Sequence, residues 1–236
     1  MRLNKYIAGT GFCSRREADR LIAARRVTVN GEPGSNGREV VDGDEVLLDG
    51  RPLPVLGAKG GRRHVYIMLN KPVGITCTTE AGVSGNIVDF IGHDQRIFPI
   101  GRLDKDSEGL ILLTSNGDIV NELLRVENGH EKEYLVAVNK AVTPEFLTGM
   151  SRGVRIHGQL TRPCKASRLA KFGFRIVLTQ GLNRQIRLMS AAFGYRVTQL
   201  RRVRINDLKL GHLKPGHWRN LTDAELRALL PQRTEW

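Results

Sequence analysis

A segment rich in proline, glycine and basic residues divides this chain into a short and a long part. Residues 51–63 read RPLPVLGAKGGRR and show neither a helical nor a strand period of apolar residues. This composition is typical of a linker between folded units. We therefore predict a small domain over residues 1–50, a linker over 51–63 and a larger domain over 64–236.

The short part has the pattern of a small α+β module. Apolar residues near the N-terminus form a short helical stripe, and Ser14 followed by Glu17 matches a capping box that starts a second helix. Strand patterns follow at 27–29 and 46–48. Between them, Asn30-Gly31 is a strong signal for a hairpin turn.

The long part alternates strand and helix patterns without a strict βαβ rhythm. Strand patterns lie at 65–69, 110–114, 134–138 and 174–178, and helix patterns lie at 119–124, from 144, at 183–193 and from 223 to a stop at Pro231. Such an irregular alternation favours an α+β fold. The larger domain is therefore predicted to be a mixed, mainly antiparallel β-sheet flanked by helices.

The charge of the chain is unevenly spread. The formal net charge is +13, from 37 Lys and Arg against 24 Asp and Glu, and the stretch from Phe146 to Asn206 has thirteen basic residues and no acidic one. A solvated face usually mixes both signs, so a long segment of one sign favours an anionic partner. Nucleic acid is the leading candidate, and an anionic membrane surface is the weaker one.

Several other classes are excluded by composition. No stretch approaches the roughly 20 apolar residues of a membrane span, and the N-terminus lacks the apolar core of a signal peptide. The three cysteines, Cys13, Cys77 and Cys164, are far apart and indicate neither a disulfide framework nor a zinc site. We therefore expect the reducing cytoplasm as the compartment. The sequence shows no metal cluster, Walker loop or nucleotide-binding glycine pattern, which points to chemistry without a cofactor or a metal.

The densest polar cluster outside the predicted linker is GRLDKDSEG at 101–109. It precedes a strongly apolar strand pattern, and a charged loop fixed to a rigid strand is a common place for catalytic groups. The alternative is a surface turn whose aspartates hydrogen-bond their own backbone. The residues by themselves leave both interpretations open.

A second polar cluster, QGLNRQIR at 180–187, lies at the start of a predicted helix. Arg184 and Arg187 stand near the first turn, where backbone N–H groups already favour anions. One interpretation is a phosphate clamp without catalysis. The other is that arginines keep a carboxylate ionised, and such a carboxylate can attack a sugar or base carbon covalently.

Four motifs together resemble a known family. LNKPVG at 69–74, GRLD at 101–104, KEYLV at 132–136 and NRQIR at 183–187 occur in the order and spacing of the RsuA/RluF family of pseudouridine synthases. The first module resembles the S4-type (αL) RNA-binding domain that these enzymes carry at their N-terminus. The KDS sequence at 105–107 and the Asn-Arg before Gln185 are similar to the RluF branch, which modifies uridine in large-subunit rRNA.

The resemblance implies roles for individual residues. Asp104 matches the essential nucleophile, Tyr134 the tyrosine that stacks on the target base, and Arg187 the basic residue paired with the catalytic carboxylate. Lys71, Pro72 and Ile186 match positions that are structural near the site. The residues predicted to contact RNA are Lys5, Arg15, Arg16, Arg20, Arg102, Arg184, Arg202 and Arg204. We interpret Asp106 as a loop-capping residue.

The function that follows is isomerisation of a specific uridine in a structured stem-loop of 23S rRNA, by a monomeric cytoplasmic enzyme that extrudes the base. One alternative is an S4-bearing ribosome-assembly or RNA-binding factor without catalysis. Another is the same enzyme acting on 16S rRNA or tRNA. Whether Asp104 first attacks C1′, attacks C6 or acts as a base is also left open.

Overall fold

The computed structural model describes residues 1–53, 64–80, 82–124 and 129–232. Contacts divide the chain into two units, which we describe separately. The first comprises residues 1–65 with the short segments 94–96 and 115–117, and the second comprises the remainder. Most of the predicted linker, residues 54–63, lies outside the described residues.

The first unit is built of two short helices and a small antiparallel sheet. Its elements are α1 (Leu3–Gly9), α2 (Arg15–Ala23), β1 (Val27–Val29), β2 (Glu32–Pro33), β3 (Val46–Leu48) and β4 (Arg51–Pro52). The strand order is β2-β1-β3-β4, and apolar residues of both helices pack with β1 and β3 in one core. This α+β module confirms the predicted class of the short part.

Local turn and cap chemistry explains the boundaries of these elements. Asn30 and Gly31 both have positive φ, as a two-residue hairpin between β1 and β2 requires. The Ser14 hydroxyl accepts the Glu17 N–H at 3.1 Å, but the Glu17 carboxylate binds Arg20. Only the serine half of the predicted capping box is therefore formed among the described residues.

The small sheet continues past the predicted domain end at residue 50. Arg51–Pro52 forms β4 and pairs with β3, and Leu53 is buried in the core of the unit. The first three residues of the predicted linker thus belong to the first unit. The pairing was missed because an Arg-Pro strand of two residues has no apolar alternation to detect.

The second unit is organised around a nine-stranded mixed sheet. Its strands and those of a separate hairpin are β5 (Tyr66–Lys71), β6 (Phe98–Ile100), β7 (Glu108–Thr114), β8 (Lys132–Val138), β9 (Arg155–Ile156), β10 (Gln159–Leu160), β11 (Lys165–Ala170), β12 (Gly173–Leu178), β13 (Val197–Ile205), β14 (Leu208–Lys209) and β15 (Trp218–Asn220). The main path is β11-β12-β8-β13-β7-β5-β15, with β14 on β13 and β6 on β7. Among the described residues, all pairings in this sheet are antiparallel except β13 with β7, so the prediction of a mixed, mainly antiparallel sheet is confirmed.

Five helices accompany this sheet: α3 (Ile87–Ile91), α4 (Asp118–Leu124), α5 (Pro144–Arg152), α6 (Gln185–Ala192) and α7 (Asp223–Leu229). The capping box predicted for α7 is complete, since Thr222 and Glu225 bond each other's backbone N–H. The predicted helix from residue 183 begins two residues later. Arg184 adopts a left-handed conformation with φ 50°, so it precedes the helix instead of continuing it.

The single parallel contact of the sheet requires a glycine. Gly109 of β7 has φ +106° and aligns with Arg202 of β13. A Cβ at Gly109 would lie 2.2 Å from the Arg202 carbonyl oxygen. Gly109 also aligns with Lys71 of β5, and Arg202 aligns with Tyr134 of β8. These four residues form one row across the middle of the sheet, next to the polar loop at 101–107.

We expect Gly109→Ala to lower the free energy of unfolding by about 3 kcal/mol, because it adds backbone strain and a clash with an immobile carbonyl. Urea unfolding monitored by circular dichroism measures the effect. Gly82→Ala is the matched control, since a Cβ there meets nothing within 4 Å and φ is ordinary. Equal stability of the two variants would contradict the packing argument.

Candidate active site

The loop before β7 is fixed by its own backbone. The buried residue Leu103 donates its N–H to the Cys77 sulfur at 3.4 Å, and the Ser107 N–H donates to the Asp104 carbonyl at 3.0 Å. The Gly74 N–H donates to the Lys105 carbonyl at 2.8 Å. Asp104 therefore stands on a tight turn held from both ends, with 26% of its side chain exposed.

Arg187 joins this loop to the first turn of α6. One terminal nitrogen of its guanidinium donates to the Asp106 carbonyl at 2.9 Å and to the Ser107 hydroxyl at 3.1 Å. The other donates to the Val197 carbonyl at 3.4 Å. With three acceptors around it and only 12% of its side chain exposed, the guanidinium is locked in one orientation. Its Nε lies 3.9 Å from the Asp104 Oδ2.

Arg184 reaches the same loop from the residue before α6. Its two terminal nitrogens each lie 3.3 Å from one Asp106 carboxylate oxygen, and one of them lies 3.7 Å from the Asp104 Oδ2. Burial acts to raise the pKa of Asp106, but the Arg184 hydrogen bond and the charges of Arg187 and Arg184 outweigh it, so the pKa is lowered. The hydrogen bond to Asp106 in turn raises the pKa of Arg184.

The Asp104 carboxylate is surrounded by positive charge without being hydrogen-bonded to it. Both guanidiniums lie within 4 Å of its Oδ2, yet no N–H of the described residues donates to the carboxylate. Guanidiniums at such distances attract the negative charge strongly in a partly buried site. The lone pairs of the carboxylate nevertheless stay available for reaction.

Tyr134 and Lys71 come from the row that crosses the sheet through Gly109. Tyr134 is buried on β8, and Lys71 at the end of β5 is fully buried, with its Nζ donating to the Pro72 carbonyl at 2.9 Å. Burial lowers the pKa of Lys71, while the charges of Cys77 and Asp104 act in the opposite direction. Lys71 thus lies close enough to Asp104 for the two charges to interact.

The other predicted site residues are placed as follows. Ile186 is buried in the first turn of α6, and Pro72 is half-buried after β5. Arg102 is exposed two residues before Asp104. In the first unit, Lys5 is half-buried on α1, whereas Arg15, Arg16 and Arg20 are exposed on α2.

Two predicted RNA contacts are wrong because their side chains are used internally. Arg202 is only 4% exposed, and its Nε donates to the Leu110 carbonyl at 2.7 Å. Arg204 bonds Glu133 at 2.7 Å and Glu131 at 2.9 Å, and its hydrogen bond to Glu133 raises its pKa. A count of charges along the sequence includes both arginines. In the structure, neither Arg202 nor Arg204 presents a free guanidinium to a phosphate.

Two participants were missed or misread in the sequence. Asp106 pairs with both arginines through its side chain, a role that the interpretation as a loop cap did not include. Ser107 is buried and accepts the Arg187 hydrogen bond. The available signal was the spacing, since two aspartates two residues apart in one motif are matched by two arginines three residues apart in the other.

No group of three or more His, Cys, Asp or Glu side chains in the described ranges could hold a metal ion. Within the same residues, no helix has the length and apolar character needed to cross a bilayer.

Comparison with known families decides what kind of site this is. Residues 65–192, which include Asp104, Tyr134, Arg184 and Arg187, match the family model for RNA pseudouridylate synthase. Residues 1–46 match the S4 domain. The chain belongs to the RNA pseudouridine synthase family. It is therefore an isomerase whose substrate is RNA.

Relatives in this family cover nearly the whole chain. The dual-specificity RNA pseudouridine synthase RluF of Salmonella typhi is 55% identical over 225 residues, 95% of this chain and 77% of that protein. The Escherichia coli K12 protein of the same name is 54% identical over 96% of this chain and 77% of its own length. A solved pseudouridylate synthase structure superposes with a TM-score of 0.70 at 29% identity, covering 97% of this chain and 99% of that one.

We expect Arg187→Lys to lower kcat/KM for pseudouridine formation by about 100-fold, because a lysine keeps the charge but cannot reach the three acceptors at once. Turnover of an RNA stem-loop measures the loss. Arg175→Lys is the control, since Arg175 is an exposed β12 residue whose ion pair with Glu133 spans 3.8 Å. Full activity of Arg187→Lys would show that charge without orientation suffices.

Proposed function

We propose that this pseudouridine synthase uses Asp104 to isomerise a uridine in a structured stem-loop of 23S rRNA. The observation that carries the proposal is the pairing of one hydrogen-bond-free carboxylate with two guanidiniums within 4 Å. The similarity to the RluF proteins over almost the entire chain supports the RNA class. The KDS and Asn-Arg sequences, which resemble the RluF branch, support the large subunit as the target.

The chemistry rearranges bonds within one nucleotide. The glycosidic bond between C1′ and N1 breaks, the base rotates while it is held, and C1′ joins C5. The C5 proton is released and N1 gains a proton, so the product is an isomer of the substrate. A carboxylate with free lone pairs can start this sequence by attacking C1′ or C6, or by removing a proton from the ribose.

Each of three residues has a separate task in this proposal. Asp104 reacts with the nucleotide, Tyr134 stacks on the extruded base, and Arg187 holds Asp104 in place and balances its charge. The uridine must leave its stack to reach Asp104, which costs a few kcal/mol. Contacts to the RNA backbone offset this cost, and in the second unit we assign them to the exposed side chains of Arg102 and Arg184.

We assign the remaining contacts with RNA to the first unit. Arg15, Arg16 and Arg20 are exposed on α2, although Arg20 also pairs with Glu17 on the same helix. Arginines at phosphate contacts fix the register of the RNA without reading its bases. A monomer acting in the cytoplasm remains a prediction of the sequence.

A second RNA substrate is favoured by one observation. The Salmonella typhi and Escherichia coli relatives carry the name dual-specificity RNA pseudouridine synthase. We therefore extend the proposal to a further uridine-containing RNA, with tRNA and 16S rRNA as the candidates. A binding factor without catalysis is disfavoured, because mere binding has no use for the locked geometry of Asp104 and Arg187.

Asp104→Asn should abolish tritium release from 5-tritiated uridine in a 23S stem-loop, because an amide oxygen is not a nucleophile. RNA affinity should change by no more than a few-fold, since the Asp104 side chain makes no hydrogen bond among the described residues. Asp207→Asn, an exposed turn residue with no ion pair in the described part of the chain, is the control. Retained turnover in Asp104→Asn would refute the assignment.

Replacing both Arg15 and Arg16 with Gln should weaken RNA binding and reduce the slope of log Kd against log salt by about 1.5, because two phosphate contacts no longer release counterions. Filter binding at several salt concentrations measures the slope. The control variant is Arg26→Gln, because Arg26 lies in the same unit and is already paired with Asp49. An unchanged slope in the double variant would indicate that the phosphate contacts lie in the second unit.

A further inference from the structure

The polar loop at 101–107 contains a second carboxylate, that of Asp106. The proposed chemistry gives this carboxylate no direct role. We infer that Asp106 is a positioning residue: it takes the direct contacts of Arg184 and Arg187 and so leaves the Asp104 carboxylate free to react. The inference rests on the proposed function, because it assigns Asp106 a task that serves Asp104.

The distances show which carboxylate the arginines bind. Arg184 meets Asp106 through two contacts of 3.3 Å, whereas its approach to Asp104 is 3.7 Å. Arg187 lies 3.4 Å from the Asp106 carboxylate and 3.9 Å from that of Asp104. Both guanidiniums are therefore drawn toward Asp106, and Asp104 receives their charge without a hydrogen bond.

In this arrangement one buried donor of Arg187 is left without a hydrogen bond. The Arg187 Nε is buried and has no hydrogen-bond partner, and the Asp104 Oδ2 lies 3.9 Å away from it. Leaving a buried donor unpaired is energetically unfavourable. A shift of less than about 1 Å would bring this donor within hydrogen-bond distance of Asp104. The contacts of Arg187 to the Asp106 carbonyl, Asp106 carboxylate and Ser107 hydroxyl hold the guanidinium back.

Loss of the Asp106 charge would upset this balance. Two guanidiniums would then face one carboxylate. Arg184 is 44% exposed, and its guanidinium bonds no other side chain among the described residues, so it would close on Asp104. Charge-assisted hydrogen bonds from arginine occupy carboxylate lone pairs and are strong. Asp104 would have to break them before it could attack carbon or remove a proton.

The test is Asp106→Asn, assayed at saturating and at limiting RNA. We expect kcat to fall roughly 10- to 100-fold through misplacement and masking of the nucleophile, with Kd for RNA changed by no more than a few-fold. Adding Arg184→Gln to this variant should restore about tenfold of the lost kcat, because it removes the guanidinium that closes on Asp104. A merely structural role for Asp106 would not produce this recovery.

Matched variants separate the outcomes. Asp106→Glu, which keeps the charge, should retain kcat within a few-fold, and Asp207→Asn controls for loss of an exposed aspartate. Asp106→Ser replaces Asp106→Asn if the latter fails to fold in circular dichroism. Undiminished kcat in Asp106→Asn, or a deeper loss on adding Arg184→Gln, would overturn the inference. Turnover by Asp104→Asn would instead overturn the proposed function itself.

Discussion

The Arg187 guanidinium bonds the Asp106 carbonyl, the Ser107 hydroxyl and the Val197 carbonyl, and so connects the first turn of α6 to two other segments of the second unit. These segments are far apart in sequence, and this nearly buried side chain links all three. Removing one partner of such a buried charged cluster leaves donors and acceptors unpaired, which is costly. The geometry of Asp104 therefore depends on Arg187 as much as on its own loop.

Backbone constraints make this connection possible. The loop that carries Asp104 leads into β7 at the point where Gly109 contacts the Arg202 backbone in the parallel pairing of β13 with β7. A side chain at Gly109 would force β7 and β13 apart. On the other side, the left-handed conformation of Arg184 ends the preceding segment and turns its side chain toward the loop. The backbone conformations of Gly109 and Arg184 therefore determine both the local fold and the placement of the site residues.

Much of the architecture was predictable because local signals agreed with the final fold. The Asn30-Gly31 hairpin, the Thr222 capping box and the long apolar strands follow from turn chemistry and periodicity. The motifs paired Asp104 with Arg187 and assigned Arg184 to RNA binding, and the structure brings both arginines within 4 Å of the Asp104 carboxylate.

The remainder depends on which partner each charge finds, and that is a tertiary property. Arg202 and Arg204 look like surface cations in the sequence, yet one is buried against a carbonyl and the other is neutralised by two glutamates. Asp106 looks like a turn residue, yet its side chain binds two arginines. Charge counts alone could not distinguish these cases, because pairs such as Arg204 with Glu131 are 73 residues apart.

The central claim is that this chain converts a specific uridine of large-subunit rRNA through Asp104. The most direct measurement is a map of pseudouridine across rRNA and tRNA from cells that lack the gene, complemented with either the wild-type chain or Asp104→Asn. The account predicts that at least one pseudouridine in 23S rRNA is absent in the deletion strain, returns with the wild-type chain and does not return with Asp104→Asn. An unchanged 23S map, or full restoration by Asp104→Asn, would contradict it.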